Sequence, residues 1–530
     1  MCLPYSQGGL NLRSLSKLNS ATNLKLCWTL INSQSSWASL LRDRVMRTRR
    51  TINHHIYSSI WSSIKNEFAV VMDNSAWLLG DGEDISFWND CWCGLSISEQ
   101  LNLPDHISQS LVSTVSDFIV DGLWVIPPQL TTLYPNLISI VSQVSIPSFP
   151  AKDKILWKHT DDGDLQLKEA YQFKLIQHQE LVWAKVIWNL DIPPSKSLLV
   201  WRIMHGKTPT NENLMLRGCF IPSMCNLCNS HVETSFHIFF ECSYAIKLWS
   251  WLAGCINQVL QFSSMEDMWK LCELQWSPQS KVTMTAAIVN LLNRIWLARN
   301  QSRFNNSFIS WQSAISLIIS NTALSGNNTK KSSSNSIRDF SFLKFFGITI
   351  HHPLAMVIKE IILQPPLVSW IKCNIDGASS GNPGIASCGG VFRDSDAEFL
   401  LAFAEPLGVA SSYSAEPSGA LRAIEIAFAN NWTNLWLESD SSLVVNAFRN
   451  PNKIVAWLLR NRWENMLVML GQMKCIITHV YREGNGVADL LAKFGLNAPG
   501  YTSWSSVPDF LFVALAGNKL GLPSFRICNA

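Results

Sequence analysis

Four acidic residues lie at the ends or beginnings of patterned segments in the C-terminal third of the chain. Asp376 ends one apolar stretch, Asp440 directly follows another, and Glu416 and Asp489 fall on helix-patterned segments. Each acid alone would be interpreted as a helix cap or a surface charge. Four carboxylates brought together repel one another unless cations neutralise them, and their oxygens suit Mg²⁺ or Mn²⁺. Their order therefore predicts a site for two ions that act on a phosphodiester.

The elements that must position these acids are predicted from strand and helix periodicity. Asp376 and Asp440 follow strands, and ligands of open α/β sheets bind where strands end. Glu416 is predicted in the first turn of a helix, and Asn485 is predicted to cap the helix that carries Asp489. The order β-β-β-α-β-α-β-α indicates an α/β domain with a five-stranded mixed sheet and flanking helices. The predicted strands are 371–375, 387–392, 398–403, 435–439 and 474–480, and the helices are 414–430, 442–448 and 485–494.

A second cluster, in the segment CNLCNSHVETSFHIFFEC, has the spacing C-x2-C-x8-H-x4-C. Thiolates and an imidazole at such spacing can close a tetrahedral Zn²⁺ site, and accidental clustering is the alternative. All four ligand positions are filled, so the site is predicted to be structural. Cys219 is left over and is expected to be a buried thiol. The predicted zinc ligands are Cys225, Cys228, His237 and Cys242.

Composition limits the class of protein. The chain has 530 residues, of which 47% are hydrophobic and 15% charged, so it can form several domains with real cores. No apolar run reaches the length of a membrane span, and the first residues lack a signal-peptide layout. We therefore expect an intracellular protein with no membrane partner, whose 14 cysteines are free or metal-bound. The net charge of +3 argues neither for nor against a nucleic-acid partner.

Four motifs resemble those of the type-1 ribonuclease H superfamily, in the variant attached to plant LINE-type (non-LTR) retroelement polyproteins. They read DGASSGNPG, SAEPSGALRAIEIA, LESDSSLVV and HVYREGNGVADLLAKFG. The resemblance implies a nucleic-acid partner and hydrolysis of the RNA strand of an RNA–DNA hybrid. It also implies that two Mg²⁺ or Mn²⁺ ions are held by the catalytic set Asp376, Glu416, Asp440 and Asp489. The small residues of 377–384, among them Gly377, Ser379 and Asn382, would let the hybrid backbone approach.

Basic residues around one tryptophan are predicted to contact phosphates. Arg449 and Lys453 precede Trp457, and Arg460 and Arg462 follow it, in the mixture of basic and aromatic residues that nucleic-acid binders use. An ordinary amphipathic helix is the alternative interpretation of the same pattern.

Two departures from the resemblance bear on catalysis. Many members carry a catalytic His in the loop before the last Asp, whereas that loop here reads REGNG (482–486). Proton transfer would then fall to water or to Glu483, because His479 lies earlier, inside a predicted strand, and is expected to be structural. Pro417 follows Glu416 and restricts the backbone before it, which would displace the Glu416 carboxylate.

The rest of the chain resembles other parts of such polyproteins. Residues 157–252 resemble the zinc-binding region found after LINE-type reverse transcriptases, and 3–28 and 77–92 resemble the stretch just downstream of the polymerase. No Y-x-D-D polymerase motif occurs, and the N-terminal and zinc-binding regions are expected to be mainly α-helical. The alternatives to a hybrid ribonuclease are a catalytically weak or inactive nucleic-acid-binding remnant with a structural zinc module, and a protein-interaction scaffold. The predicted domains are a post-polymerase region 1–125, a zinc-binding domain 150–255, a helical connector with a Ser-rich linker 256–365, the ribonuclease H-like domain 366–497 and a tail 498–530.

Overall fold

The structure is a computed structural model that describes residues 1–47, 50–51, 56–108, 110–175, 178–450 and 456–529. The chain divides into two compact units. We call them the helical unit, residues 1–15 with 176–355, and the sheet unit, residues 16–175 with 356–529. The boundaries of the five predicted domains stay a prediction.

The helical unit is built around one long helix, Pro278–Asn305. The helix begins at strong start signals, because Ser277 accepts a hydrogen bond from Ser280 N and a proline occupies the first helical position. Residues 286–292 are all buried, since neighbouring helices surround this part. The other helices are Val182–Ile187, Pro194–Met204, Asn211–Met215, the π-helical His237–Glu241, Ser243–Ile256, Lys270–Glu273, Trp311–Asn328 and Ile337–Phe345.

The Ser-rich segment 327–336, predicted to be a linker, is packed against this unit. Ser333 is buried and donates its N–H to His351 O at 2.7 Å. Gln279 N, in the first turn of the long helix, donates to Ser332 O at 3.0 Å. The segment therefore satisfies a helix N-terminus that would otherwise lack an acceptor. Its polar composition gave no sign of this backbone role.

Residues 16–175 of the sheet unit form short elements around two aromatic cores. Trp28 and Trp157 lie with ring centroids 6.0 Å apart in one core, and Phe87 and Phe118 lie 3.9 Å apart in the other. The helices are Leu15–Asn32, Ser36–Val45, Ser59–Ile64, Glu67–Asp73, Ile97–Gln100, Asp105–Ser108, Pro128–Leu133, Leu137–Val141 and Leu167–Lys174. The paired strands are Met46–Arg47 with Arg50–Thr51, Ser75–Leu78 with Lys154–Trp157, and Ile119–Val120 with Leu123–Trp124.

The main sheet has six strands, which are β1 (Ile371–Gly381), β2 (Gly384–Arg393), β3 (Phe399–Ala410), β4 (Asn434–Ser439), β5 (Lys474–His479) and β6 (Thr502–Trp504). Their order is β5-β4-β1-β2-β3-β6. β4 pairs in parallel with β1 and β5, and the other pairs are antiparallel. The prediction of a mixed sheet is confirmed, but five strands was wrong, because β6 lies in the predicted tail. Three residues are too few for an alternating pattern to be recognised.

Five helices accompany the sheet, namely α1 (Ser412–Ala429), α2 (Ser442–Arg449), α3 (Arg460–Leu470), α4 (Gly486–Gly495) and α5 (Phe512–Lys519). α1 and α4 lie on opposite faces. A Cβ at Gly377 of β1 would meet α1, and a Cβ at Gly389 of β2 would meet α4. Gly377 pairs with Cys388, the neighbour of Gly389, and neighbouring side chains of a strand point to opposite faces. The predicted order of elements omitted α3 and α5.

A two-stranded ribbon, Met356–Ile361 paired with Ser524–Asn529, completes the sheet unit. Arg526 of this ribbon contacts the loop before α4. Within the described ranges, no helix has both the length and the apolar character needed to cross a membrane.

Candidate active site and metal centres

Three of the four predicted carboxylates meet at one edge of the sheet. Asp376 lies on β1, Asp440 directly follows β4, and β1 and β4 are neighbouring parallel strands. Parallel neighbours end at the same edge, which is why these two acids are close. Glu416 reaches the same edge from α1. One carboxylate oxygen from each of the three lies within 4.8 Å of the other two. The pocket is therefore formed by Asp376, Glu416 and Asp440.

The pocket is electrostatically unfavourable for negative charge. Burial, and then the Asp440 carboxylate, raise the pKa of Asp376 to about 7. Burial, and then Asp376, raise the pKa of Glu416 to about 8. Glu416 Oε2 is buried and has no hydrogen-bond partner among the described residues. Such a group needs a proton or a cation, and an all-oxygen donor set fits a hard divalent ion.

Asp489 lies near this pocket but is not one of the three clustered acids. On α4 its Oδ2 accepts a hydrogen bond from Lys493 Nζ at 2.6 Å, and its Oδ1 lies 3.6 Å from Arg482 Nη2. Its charge still contributes to the raised pKa of Asp376. The sequence spacing of Asp489 and Lys493 is that of an ion pair between successive helical turns. The predicted metal-binding role of Asp489 stays a prediction.

Two predictions concern the loop before α4, and the role of Glu483 in proton transfer stays a prediction. Glu483, considered for proton transfer, is held by Arg526 Nη1 at 3.0 Å, and its pKa is lowered. Asn485 occupies the predicted N-cap position of α4, but its side chain makes no capping hydrogen bond there. His479 is the last residue of β5 and is exposed. An N-cap pattern in sequence does not reveal that the Asn side chain bonds elsewhere.

Glu416, which precedes Pro417, was predicted to lie in the first turn of its helix, and this prediction was wrong. α1 begins at Ser412, so Glu416 is the fifth helical residue and Pro417 lies inside the helix. The proline nitrogen has no hydrogen to donate to the carbonyl four residues earlier. Glu416 nevertheless keeps its place in the helix, and its carboxylate joins the pocket. The expected displacement of this carboxylate stays a prediction.

A glycine is required at position 377 for a structural reason that the sequence did not reveal. A Cβ at this position would lie 2.5 Å from Glu416 N, closer than real Cβ contacts occur. The glycine therefore lets α1 pack close enough to β1 for Glu416 to reach Asp376. Its predicted contact with nucleic acid stays a separate prediction.

The other predicted nucleic-acid contacts lie in different settings. Ser379 Oγ donates to Gly381 O at 2.6 Å, and Asn382 Oδ1 accepts from Ser412 N at 3.3 Å, at the start of α1. Arg449 is exposed at the end of α2. Trp457 is half-buried, and its backbone N–H donates to a backbone carbonyl. The described residues do not include Lys453.

The sequence suggested that Arg462 contacts phosphate, but its guanidinium is paired with carboxylates within the domain. Its Nε and Nη2 donate to the Glu425 carboxylate at 2.6 and 2.8 Å, and Nη2 lies 3.6 Å from Glu405. Arg460 lies 3.3 Å from Glu464 one turn later. The alternative of an ordinary amphipathic helix therefore describes this part of α3 better.

The predicted zinc ligands come together in the helical unit. One ligand atom from each of the four lies within 4.8 Å of the others, and the ligands are Cys225, Cys228, His237 and Cys242. Asn229 adopts φ +50°, which lets the chain turn after the second cysteine. Burial, and then His231, lower the pKa of His237, which favours the neutral imidazole that binds metal. Cys219 is exposed, so its expected burial was wrong.

A buried ion pair anchors the zinc loop and was not found from the sequence. Glu233, between the second and third ligands, is fully buried. Its carboxylate accepts from Arg299 Nη2 at 2.5 Å and from Asn211 N at 2.8 Å. Arg299 belongs to the long helix, 66 residues away in sequence. No local pattern links residues so far apart, so only the folded chain reveals the pair.

Known protein families match both the region of the predicted zinc ligands and the region of the carboxylate pocket. A family model described as zinc-binding in reverse transcriptase matches residues 165–249, and one described as reverse transcriptase-like matches residues 374–495. An Arabidopsis thaliana protein, provisionally named a ribonuclease H protein, is 25% identical over 98% of this chain and 84% of its own length.

Ribonuclease HI of Halobacterium salinarum is 30% identical over 26% of this chain and 69% of its own length. The crystal structure of ribonuclease H1 from the same archaeon is 30% identical, with a TM-score of 0.23, over 24% of this chain and 98% of that chain. The chain therefore belongs to the ribonuclease H-like family, in a retroelement-derived form that also carries the zinc-binding region of reverse transcriptases.

Proposed function

We propose that this protein is a metal-dependent endonuclease that hydrolyses the RNA strand of RNA–DNA hybrids. One observation carries the proposal, namely the meeting of Asp376, Glu416 and Asp440 at the edge of a ribonuclease H-like sheet. The buried, unpartnered Oε2 of Glu416 supports a cation in that pocket. The likeness to ribonuclease HI supports ribonuclease activity, and the resemblance of the four motifs implies the hybrid as substrate.

The three carboxylates would hold Mg²⁺ or Mn²⁺, and Asp489 would complete the set as its fourth member. Two bound ions supply Lewis-acid stabilisation of the attacking water and of the leaving oxygen. The chain itself orients the donors. Gly377 N donates to Asp376 Oδ1 at 2.8 Å, which fixes one face of that carboxylate. The hairpin 377–384 begins directly after Asp376 and would lie along the substrate backbone, with Gly377, Ser379 and Asn382 as its contacts.

Further contacts to the nucleic acid would come from Arg449, Lys453 and Trp457. The zinc module would be structural, because four protein ligands leave no open coordination position. In that role Zn²⁺ stabilises the fold of the loop that carries Cys225 and Cys228.

Cleavage by the full-length chain tests the proposal. The substrates are an end-labelled RNA–DNA hybrid, a double-stranded RNA and a DNA duplex of one sequence, each with Mg²⁺, with Mn²⁺ or with excess chelator. We expect cutting of the RNA strand of the hybrid only, and only with a divalent ion. Equal cutting in chelator would contradict the metal-dependent mechanism, and equal cutting of double-stranded RNA would contradict the substrate.

A catalytically weak, hybrid-binding remnant is the second candidate function. The observation that favours it is that Asp489 is not among the three clustered acids and is instead paired with Lys493. This candidate predicts that the folded chain binds the hybrid in a mobility-shift assay but leaves the RNA intact with either ion.

A further inference from the structure

Asn485 connects the carboxylate pocket to a buried polar chain beneath the sheet edge. It is 1% exposed and immediately precedes α4. Its Nδ2 donates to Ile375 O at 2.8 Å and to Asp440 Oδ1 at 3.1 Å. Ile375 is the residue before Asp376. One amide group therefore uses both of its hydrogens to join the backbone of β1 beside Asp376 to the carboxylate of Asp440.

The orientation of this amide is fixed by a series of donors. Arg393 can only donate, and its Nη1 donates to Asn374 Oδ1 at 2.8 Å. Asn374 must then direct its Nδ2 away from Arg393, towards Glu438 Oε2 at 3.0 Å and Asn485 Oδ1 at 3.4 Å. Because Asn485 Oδ1 is an acceptor in this series, its Nδ2 faces Asp440. The series begins at a guanidinium and ends at a carboxylate, so it has one consistent direction.

Burial makes this series stiff. Arg393, Asn374 and Asn485 are each at most 2% exposed. A buried donor or acceptor left without a partner costs about 1–3 kcal/mol, so reversing one amide would be unfavourable at both of its ends. The Asp440 carboxylate is therefore held at one oxygen by a group that does not rotate freely.

We propose that Asn485 is a positioning residue that holds the Asp440 carboxylate for a divalent cation, with Asn374 and Arg393 fixing its amide. This inference rests on the proposed function, because it requires Asp440 to bind an ion. An N–H donor to one carboxylate oxygen limits the rotation of that carboxylate and leaves its other oxygen directed at the pocket. Groups that hydrogen-bond to metal ligands typically change metal affinity by about 10–100-fold when they are replaced.

The test measures Mn²⁺ binding to the full-length chain by electron paramagnetic resonance of the free ion. Asn485→Ala removes both donors, and Asn485→Ser removes them with a smaller cavity while keeping a residue that suits a helix N-terminus. Asn461→Ala is the matched control. Asn461 is also buried, and its Nδ2 donates to Leu79 O at 2.8 Å and Ser145 O at 3.2 Å, but it touches no pocket carboxylate. Asp440→Asn gives the effect of weakening the ligand itself.

We expect both Asn485 variants to weaken Mn²⁺ binding by about tenfold or more, and Asn461→Ala to change it by less than about twofold. Wild-type affinity in a folded Asn485→Ser variant would overturn the inference, provided that Asp440→Asn weakens binding. If the wild type binds Mn²⁺ and depends on Asn485 but cuts no hybrid, the inference stands and the proposed reaction falls. If the wild type binds no Mn²⁺, both fall.

Discussion

Without divalent cations, we expect the ribonuclease H-like domain to lose stability as the pH rises from acid to neutral. The pKa of Asp376 is raised from 3.8 to about 7 by burial and by the neighbouring Asp440. A carboxyl group whose pKa is higher in the folded state binds its proton more tightly there than in the unfolded chain. Its stabilising contribution is therefore complete below about pH 4 and is lost as the pH rises through about 7.

The magnitude follows from Asp376 alone. Each tenfold change in proton affinity corresponds to about 1.4 kcal/mol, and a carboxyl group with a pKa of about 7 is still half protonated at pH 7. The free energy of unfolding therefore falls by about 2 kcal/mol between pH 5 and 7. Glu416, whose pKa is raised to about 8, changes in the same direction. Saturating Mg²⁺ should remove most of the fall, because the cation replaces the protons as the neutralising charge.

Hydrogen exchange measured by mass spectrometry reads this effect locally. Peptides from β1 and α1 of the full-length chain would be followed from pH 5 to 8 in chelator or in Mg²⁺, with correction for intrinsic exchange rates. Asp376→Asn should reduce the pH dependence by at least about half, because it removes one ionising group and its repulsion. Asp396→Asn, in the turn between β2 and β3, should behave as the wild type. A flat wild-type profile in chelator would refute the reasoning, as would an unchanged slope in Asp376→Asn.

Three further outcomes test the packing and the zinc module. Gly377→Ala should lower hybrid cleavage and should lower the free energy of unfolding by about 1–3 kcal/mol, because its Cβ would lie 2.5 Å from a backbone nitrogen of α1. Gly486→Ala, whose Cβ would meet nothing within 4 Å, should be neutral or stabilising. Equal melting and cleavage in the two variants would contradict this prediction. Cys228→Ser should abolish stoichiometric zinc measured by mass spectrometry, whereas exposed Cys219→Ser should retain it, and zinc kept by the first variant would exclude this ligand set. Glu233→Gln leaves a buried arginine without its counter-charge and should destabilise the helical unit by about 3–5 kcal/mol. The variant should therefore release zinc at a lower urea concentration than the wild type. An unchanged urea midpoint would contradict this prediction.

The edge of the sheet that carries the three clustered carboxylates could be predicted because its signals are local. Asp440 directly follows a buried strand, whereas Asp376 lies inside β1, which continues to Gly381 instead of ending at 375 as predicted. The parallel pairing of the two strands brings these acids together. Glu416 was assigned to the correct helix, but its turn was wrong because the sequence does not locate the helix start at Ser412. The sixth strand was missed because its partner lies about a hundred residues earlier.

Side-chain direction was the part that could not be predicted. Asn485 has the sequence signature of a helix cap, yet its amide bonds to Asp440 because Asn374 takes its oxygen. Gly377 was predicted to contact nucleic acid because it lies in a loop of small residues. The structure shows that its lack of a Cβ lets α1 pack against β1. In both cases the deciding neighbour is distant in sequence, and single residue types do not specify it.

The most direct measurement is cleavage of an end-labelled RNA–DNA hybrid by the full-length wild type, Asp376→Asn and Asp396→Asn, each confirmed to be folded and to bind the hybrid. With Mg²⁺ or Mn²⁺, we expect the wild type and Asp396→Asn to cut the RNA strand at similar rates and Asp376→Asn to cut at least about a hundredfold more slowly. A wild type that binds the hybrid but leaves the RNA intact with either ion, or an Asp376→Asn variant that cuts as fast as the wild type, would contradict the account.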